Sequence, residues 1–248
     1  MKVLEVKNLC KSFAGVRAVS NVSFSVAAGE LLAMIGPNGA GKTTCFNLIN
    51  GQLRPDAGEI FLEGRRIQGL APRELWRLGI GRTFQVAATF GSMTVQENVQ
   101  MALLSRERKL GSVISRFEIS QEAKSILEKV GMQELAGRAC SVLAYGDLKR
   151  VELALALAGR PRLLLMDEPT AGMASGERES LMNLTAELAR SSNLAVLFTE
   201  HDMDVVFAHA DRVIVLADGA QIAEGAPAAV RADARVRAVY LGAEAADA

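Results

Sequence analysis

The chain has 248 residues, half of them apolar, with 28 Lys plus Arg against 28 Asp plus Glu. That length suits one large α/β domain or two small ones, and the charge balance argues against a broad basic footprint for nucleic acid. The longest uncharged run, 83–96, carries Thr, Gln, Gly and Ser, so it is no membrane span, which takes about 20 mostly apolar residues.

The start, MKVLEVKNL, is charged throughout, unlike a secretory leader. In VLEVKNL and AVSNVSFSVAAGE, apolar and polar residues alternate, which predicts half-buried strands. ELLAMIG is a continuous apolar run after its glutamate, as in a strand buried on both faces; RLLLMDE (162–168) and LAVLFTE (194–200) read the same way. Helical patterns lie between them. In LKRVELALALAG, Leu148, Val151, Leu155 and Ala158 share a face, and Gly159 and Pro161 are expected to end the helix. Residues 176–191 predict another helix. Buried strands alternating with helices mean a parallel sheet covered by helices. From Val95 to about Ala139 only helix-like segments such as SQEAKSILEKVGM occur, so a helical subdomain is expected to interrupt the sheet domain. There is no internal repeat, and the Ala-rich end, GAEAADA, is expected to fray. Cys10, Cys45 and Cys140 are far apart and odd in number, as expected of reduced thiols rather than of a disulfide framework or a zinc site.

GPNGAGKTT spans Gly36, Pro37, Asn38, Gly39, Ala40, Gly41, Lys42, Thr43 and Thr44 and fits G-x-x-x-x-G-K-[ST]. Glycines let the backbone curl around a phosphate, successive N–H groups form an anion nest, Lys42 adds charge toward the β/γ oxygens, and the Thr43 hydroxyl can ligate Mg²⁺. A buried strand precedes the loop and a helical run, TTCFNLIN, follows it. GTPases, kinases and transport ATPases all use such a loop; the absence of N-K-x-D weighs against a GTPase. At the end of LLLMDE, Asp167 is placed to hold Mg²⁺ through water, and Glu168 to orient or deprotonate the attacking water. Gln85, closing GIGRTFQ, can ligate Mg²⁺ or bond that water as a neutral amide. His201 follows the third buried strand, in a structural or a catalytic role. Phe13 could stack on adenine or fill the core.

One stretch resists this reading. LAYGD (143–147) opens a helix, where unpaired N–H groups favour a phosphate, yet Asp147 would repel one. Phe13, GPNGAGKTT, Gln85, LAYGD, LLLMDE, AGMASGE and His201, in that order, resemble the successive motifs of an ABC-transporter nucleotide-binding domain over nearly the whole chain. GRTFQ, MTVQENV, TEHDMDVV and the closing AVYLG resemble the ATP-binding subunits of branched-chain amino acid importers, and within them the G-type ATPase. The resemblance implies an α/β P-loop fold with a mostly parallel sheet core, an N-terminal antiparallel β part and an inserted helical subdomain. It implies one nucleotide-binding domain over 1–248, with 1–94 and 160–248 forming the RecA-like and antiparallel β lobe and 95–159 the helical signature subdomain. ATP and Mg²⁺ are the implied cofactors, and ATP hydrolysis coupled to transport the implied activity. The implied partners are membrane permease subunits, a second ATPase subunit packed head to tail, and indirectly a periplasmic solute-binding protein, with the chain at the cytoplasmic face of the membrane. Ala144, Tyr145 and Gly146 would then act in trans, reaching the γ-phosphate held by the partner's loop. The usual signature has Ser where Ala144 stands and Gln where Asp147 stands, and AGMASGE lacks the usual acid or Asn followed by Pro, so a weakened signature is expected. Residues 86–98, VAATFGSMTVQEN, are expected to form a docking surface for the permeases. Other readings are a urea or amide importer, a lipopolysaccharide-export ATPase, or a non-transport ABC ATPase.

Overall fold

In a computed structural model the described residues are 1–83, 89–107 and 118–244. The two alternating segments become β1 (Lys2–Phe13) and β2 (Val16–Ala27), an antiparallel hairpin. With β4 (Ala57–Leu62) and β5 (Arg65–Arg66) they form an antiparallel sheet in the order β2-β1-β4-β5.

The second sheet runs β10-β9-β3-β8-β7-β6. Its strands β3 (Leu31–Ile35), β6 (Ile80–Thr83), β7 (Leu163–Asp167), β8 (Ala195–Thr199) and β9 (Arg212–Ala217) pair in parallel, and β10 (Ala220–Gly225) closes one edge antiparallel. The continuous apolar runs are explained by the two cores this sheet separates. Leu31, Ala33 and Ile35 face a core shared with helices, whereas Leu32 and Met34 face the antiparallel sheet and the helix after the phosphate loop. Leu164 and Met166 join the first core, and Leu163 and Leu165 the second. Side chains alternate across a strand, so only a strand apolar at every position can serve both.

Nine α-helices and a short 3-10 turn (Cys140–Val142) complete the described residues: α1 (Lys42–Ile49), α2 (Pro72–Arg77), α3 (Val95–Glu107), α4 (Gln121–Lys129), α5 (Tyr145–Ala158), α6 (Ser175–Ser192), α7 (Met203–His209), α8 (Pro227–Ala232) and α9 (Ala234–Glu244). None of them is long and apolar enough to cross a membrane. α3 starts with a reciprocal cap: Glu97 N donates to Thr94 Oγ1 at 3.3 Å, and Thr94 N to Glu97 Oε2 at 2.7 Å. Buried Asn98 then donates to the carbonyls of Phe90, Met93 and Thr94 and accepts from Phe90 N, so one amide shapes the turn ahead of the helix. Between α3 and β7 the described residues hold helices, turns and one isolated bridge, Thr94 to Ala139.

The α5 stripe packs as expected into the first core, with Val151 and Ala158 buried and Leu148 and Leu155 partly so, and Leu153, Ala154 and Ala156 are buried besides. The helix is in contact with α3, α4, α6 and β6. α5 ends at Ala158 as expected, with Gly159 as its C-cap at φ −70° and Arg160 at φ +50°. A glycine is needed at 159 for room, since a Cβ would stand 2.8 Å from the Trp76 indole nitrogen. Gly242 to Glu244, the first residues of the Ala-rich end, continue α9, and 245–248 lie outside the described residues.

Candidate nucleotide site

Parallel pairing brings the carboxyl ends of β3, β7, β8 and β6 to one edge of the sheet, where ligands bind in open α/β folds. The loop 36–44 leaves β3 at this edge and runs into α1. It is wedged in place by two close approaches. A Cβ on Gly36 (φ +152°) would lie 2.2 Å from the Leu216 carbonyl oxygen, and one on Gly41 (φ +102°) 2.3 Å from that of Ala18. Gly219 N donates to Ala40 O at 3.2 Å, tying the loop to the β9–β10 turn. Asn38, Gly39 and Thr43 are exposed, Pro37 and Thr44 half-buried, and Ala40 buried.

Lys42 is buried, and its ammonium donates to the Gly36 carbonyl at 2.6 Å and the Pro37 carbonyl at 3.1 Å. Burial lowers its pKa, while the carboxylates of Glu168 and Asp167 pull it back up. The cation therefore lies within electrostatic reach of the acids at the end of β7.

Asp167 is buried, with both oxygens engaged: the Thr199 hydroxyl donates to Oδ1 at 2.8 Å, and Arg82 NH2 to Oδ2 at 3.1 Å. Arg82 also bonds Asn47 Oδ1 on α1 at 2.8 Å, so one guanidinium spans the end of β6, α1 and the acid. Glu168 has φ +49°, a conformation that residues with a side chain seldom adopt and that clusters at functional sites. Its backbone N–H is held by the Thr199 hydroxyl at 3.1 Å and the Thr199 carbonyl at 3.2 Å, and its carboxylate accepts from His201 Nε2 at 2.8 Å. Buried Glu200 accepts from Thr170 N at 2.9 Å and from the Thr170 hydroxyl at 2.6 Å, clipping the segment after Glu168 to the end of β8. The structure thus brings Lys42, Asp167, Glu168 and His201 together. Arg82, Thr199, Thr170 and Glu200 complete the cluster and were not singled out from the sequence. Thr199 had a signal: it occupies the same strand-end position on β8 as Asp167 on β7.

Phe13 is 44 % exposed at the hairpin end, which excludes the core-filling alternative; Lys11 Nζ lies 5.5 Å from its ring centre. Gln85 and residues 86–88 lie outside the described residues. Ala144, Tyr145 and Gly146 open α5 on the helical side of the molecule. Ala144 is the N-cap and makes no side-chain capping bond. Tyr145 is 46 % exposed, lies over Gly172, and has Lys149 Nζ 5.4 Å from its ring centre. A Cβ on Gly146 would meet Glu177 Oε1 at 2.8 Å, so an acid stands beside this helix start.

The residues fit Mg²⁺. Thr43 and Asp167 offer hard oxygens, and among the described residues no group of three or more His, Cys, Asp or Glu side chains could cage a metal. Mg²⁺ favours such sites, keeping several waters and using one or two protein oxygens plus substrate phosphates. The three cysteines are free, and burial pushes the Cys45 thiol up to about 12, far from reactive.

The chain matches the ABC transporter family over residues 19–171, and the family described as branched-chain amino acid ATP-binding cassette transporter over residues 220–246. It is 38% identical over 249 residues to the high-affinity branched-chain amino acid transport ATP-binding protein LivG of Escherichia coli (strain K12), covering 97% of this chain and 98% of that one. It resembles the ADP conformation of MJ1267, an ATP-binding cassette of an ABC transporter, with a TM-score of 0.86, 33% identity and coverage of 98% and 99%. A dimeric post-hydrolysis state of the ATP-binding cassette MJ0796, bound to ADP and Pi, matches with a TM-score of 0.75 at 27% identity, covering 90% of this chain and 98% of that one. A phosphate loop wedged at the edge of a parallel sheet, two acids beside it, and likeness along nearly the full length agree: the chain belongs to the ABC transporter family, in the branch of ATP-binding proteins of branched-chain amino acid transport.

Proposed function

We propose that this ATPase drives an importer of branched-chain amino acids or closely related solutes from the cytoplasmic face of a membrane. The C-terminal match at 220–246 favours this over urea or lipopolysaccharide systems and over non-transport ATPases. Phe13 stacks on adenine, the loop Gly36–Thr44 wraps the phosphates, and Lys42 bonds the β/γ oxygens. Thr43 and Asp167, with Gln85, would hold Mg²⁺, which offsets phosphate charge when bound. Glu168 accepts a proton from the water that attacks the γ-phosphorus as the bond to the ADP oxygen breaks, and His201 holds the Glu168 carboxylate in place. The observation that carries this is Glu168, locked by Thr199 behind and His201 in front. Glu168→Gln keeps the shape and removes the base. ATP binding should persist while phosphate release falls by about 10²–10⁴-fold; normal turnover would remove Glu168 from this role.

The chain works in a head-to-tail pair with a second ATPase subunit, which supplies the other half of each site. The exposed Tyr145 corner supports this, as does the dimeric MJ0796 relative. Residues 1–94 with 160–248 act as the catalytic lobe, and 95–159 as the helical lobe carrying Ala144, Tyr145 and Gly146 to the opposed nucleotide. Permease subunits dock in a groove of about 550 Å³ between α2, β6, α3 and α5, with Trp76, Phe90, Met101 and Leu155 in its walls. A periplasmic solute-binding protein delivers the cargo.

A further inference from the structure

The groove between the lobes is mostly apolar, but one group in its wall does not belong in an apolar trough. Glu152 projects from the middle of α5 and is 5 % exposed. Its Oε2 takes a hydrogen bond from Lys149 Nζ at 3.2 Å, one turn earlier on the same helix. Its Oε1 is fully buried and has no hydrogen-bond partner among the described residues. A carboxylate accepts through both oxygens, and leaving one unmet in a low-dielectric setting is costly. Burial accordingly raises the Glu152 pKa, with Lys149 opposing the rise.

Other polar groups along the groove do not answer this need. Arg82 is committed to Asp167, Asn47 and Gln52, Asn98 to the turn before α3, and Arg73 stands on the exposed rim. A ligand that filled the groove with apolar side chains alone would leave Glu152 Oε1 without a partner. A ligand that also carried one cation would satisfy it through a charge-assisted bond, the strongest kind available there.

We propose that Glu152 is a recognition residue for the membrane partner: it receives one Lys or Arg side chain from the short cytoplasmic helix that the permease lays in this groove. The inference rests on the docking role given to the groove above. It also gives the docked helix a short physical line to the nucleotide-facing corner, because Lys149 bonds Glu152 on one side and lies over the Tyr145 ring on the other.

The test uses the permease pair that assembles with this chain in its own membrane, identified by mass spectrometry, stripped of ATPase subunits and rebuilt in nanodiscs. Rebinding is measured for the unaltered chain, Glu152→Gln, Glu152→Lys and Ala102→Trp, with circular dichroism confirming that each variant is folded. Glu152→Gln is isosteric and should bind at least about tenfold more weakly, the loss expected for one charged hydrogen bond. Glu152→Lys should not bind, and changing one permease Lys or Arg to Glu should restore it. Ala102→Trp fills the groove and should abolish binding in every background. If Ala102→Trp fails to bind while both Glu152 variants match the unaltered chain, the cation contact is wrong and the docking role stands. If Ala102→Trp binds normally, the docking role itself is wrong, and the Glu152 proposal falls with it.

Discussion

Glu168 and Gly36 show how single residues hold the site under constraint. Glu168 keeps φ +49° because Thr199 grips its N–H with both hydroxyl and carbonyl; the surroundings over-determine a conformation that costs on the order of 1–3 kcal/mol. Gly36 is confined differently, by the Leu216 carbonyl where a side chain would begin. Gly36→Ala therefore cannot keep both the loop and the strand β9 where they are. It should lower the melting temperature and weaken nucleotide binding at least about tenfold, read by thermal unfolding with and without ATP; an unchanged ATP-induced shift would contradict the wedge. Residue-level legibility was uneven. That Lys42, Asp167 and Glu168 meet at one sheet edge was legible from motif and strand end, because the loop and the acids each directly follow a buried strand. Arg82 was not: its partners Asn47 and Asp167 are brought to it by sheet order, which no local pattern contains.

At the scale of elements, continuous apolar runs gave β3, β7 and β8 correctly, since strands serving two cores have no polar positions to blur the signal. α5 buries more than the stripe legible in its sequence, because small alanines such as Ala154 and Ala156 are weak hydrophobic markers. The short α2 and β5 had too few residues to show any period. The start of α5 carries a further consequence. Ala144 caps it without a side-chain bond, and Asp147 and Glu177 place negative charge by the helix mouth. An anion there already satisfies part of the helix dipole and competes with a phosphate for it. Ala144→Ser alone should stabilise α5 by about 1 kcal/mol; combined with Asp147→Gln in the assembled complex it should speed ATP turnover, and unchanged turnover would refute the idea that this signature is weakened.

For the whole molecule, the helical segment is knitted to itself by one acid. Glu122, at the start of α4, accepts from Arg106 at the end of α3 and from Arg160 just past α5, and Arg106 also bonds the Ala158 carbonyl. The Arg106 bonds, above all, hold the Glu122 carboxyl down to about 2, against an ordinary 4.5; burial opposes them and Arg160 adds to them. A carboxyl lowered in the folded state stabilises it fully above the unfolded value and ceases to do so as pH falls through the folded one. Glu122→Gln should thus cost about 1 kcal/mol at neutral pH, modest because the group is partly solvated. The gap to the unaltered chain should close between pH 4.5 and about 2, as followed by denaturant unfolding. A gap that persists at the acid end would mean the loss is packing rather than charge.

The central claim is that nucleotide is held between two subunits, with this chain's Tyr145 corner closing over the phosphate bound by its partner. It is tested most directly with a γ-linked photoreactive ATP, given to the intact transporter carrying Glu168→Gln and to the same chain alone, with labelled peptides mapped by mass spectrometry. The account predicts label in 36–44 in both samples and label at Tyr145–Gly146 only in the assembled transporter. Label confined to 36–44 even in the assembly, or equal label at Tyr145 in the isolated chain, would contradict it.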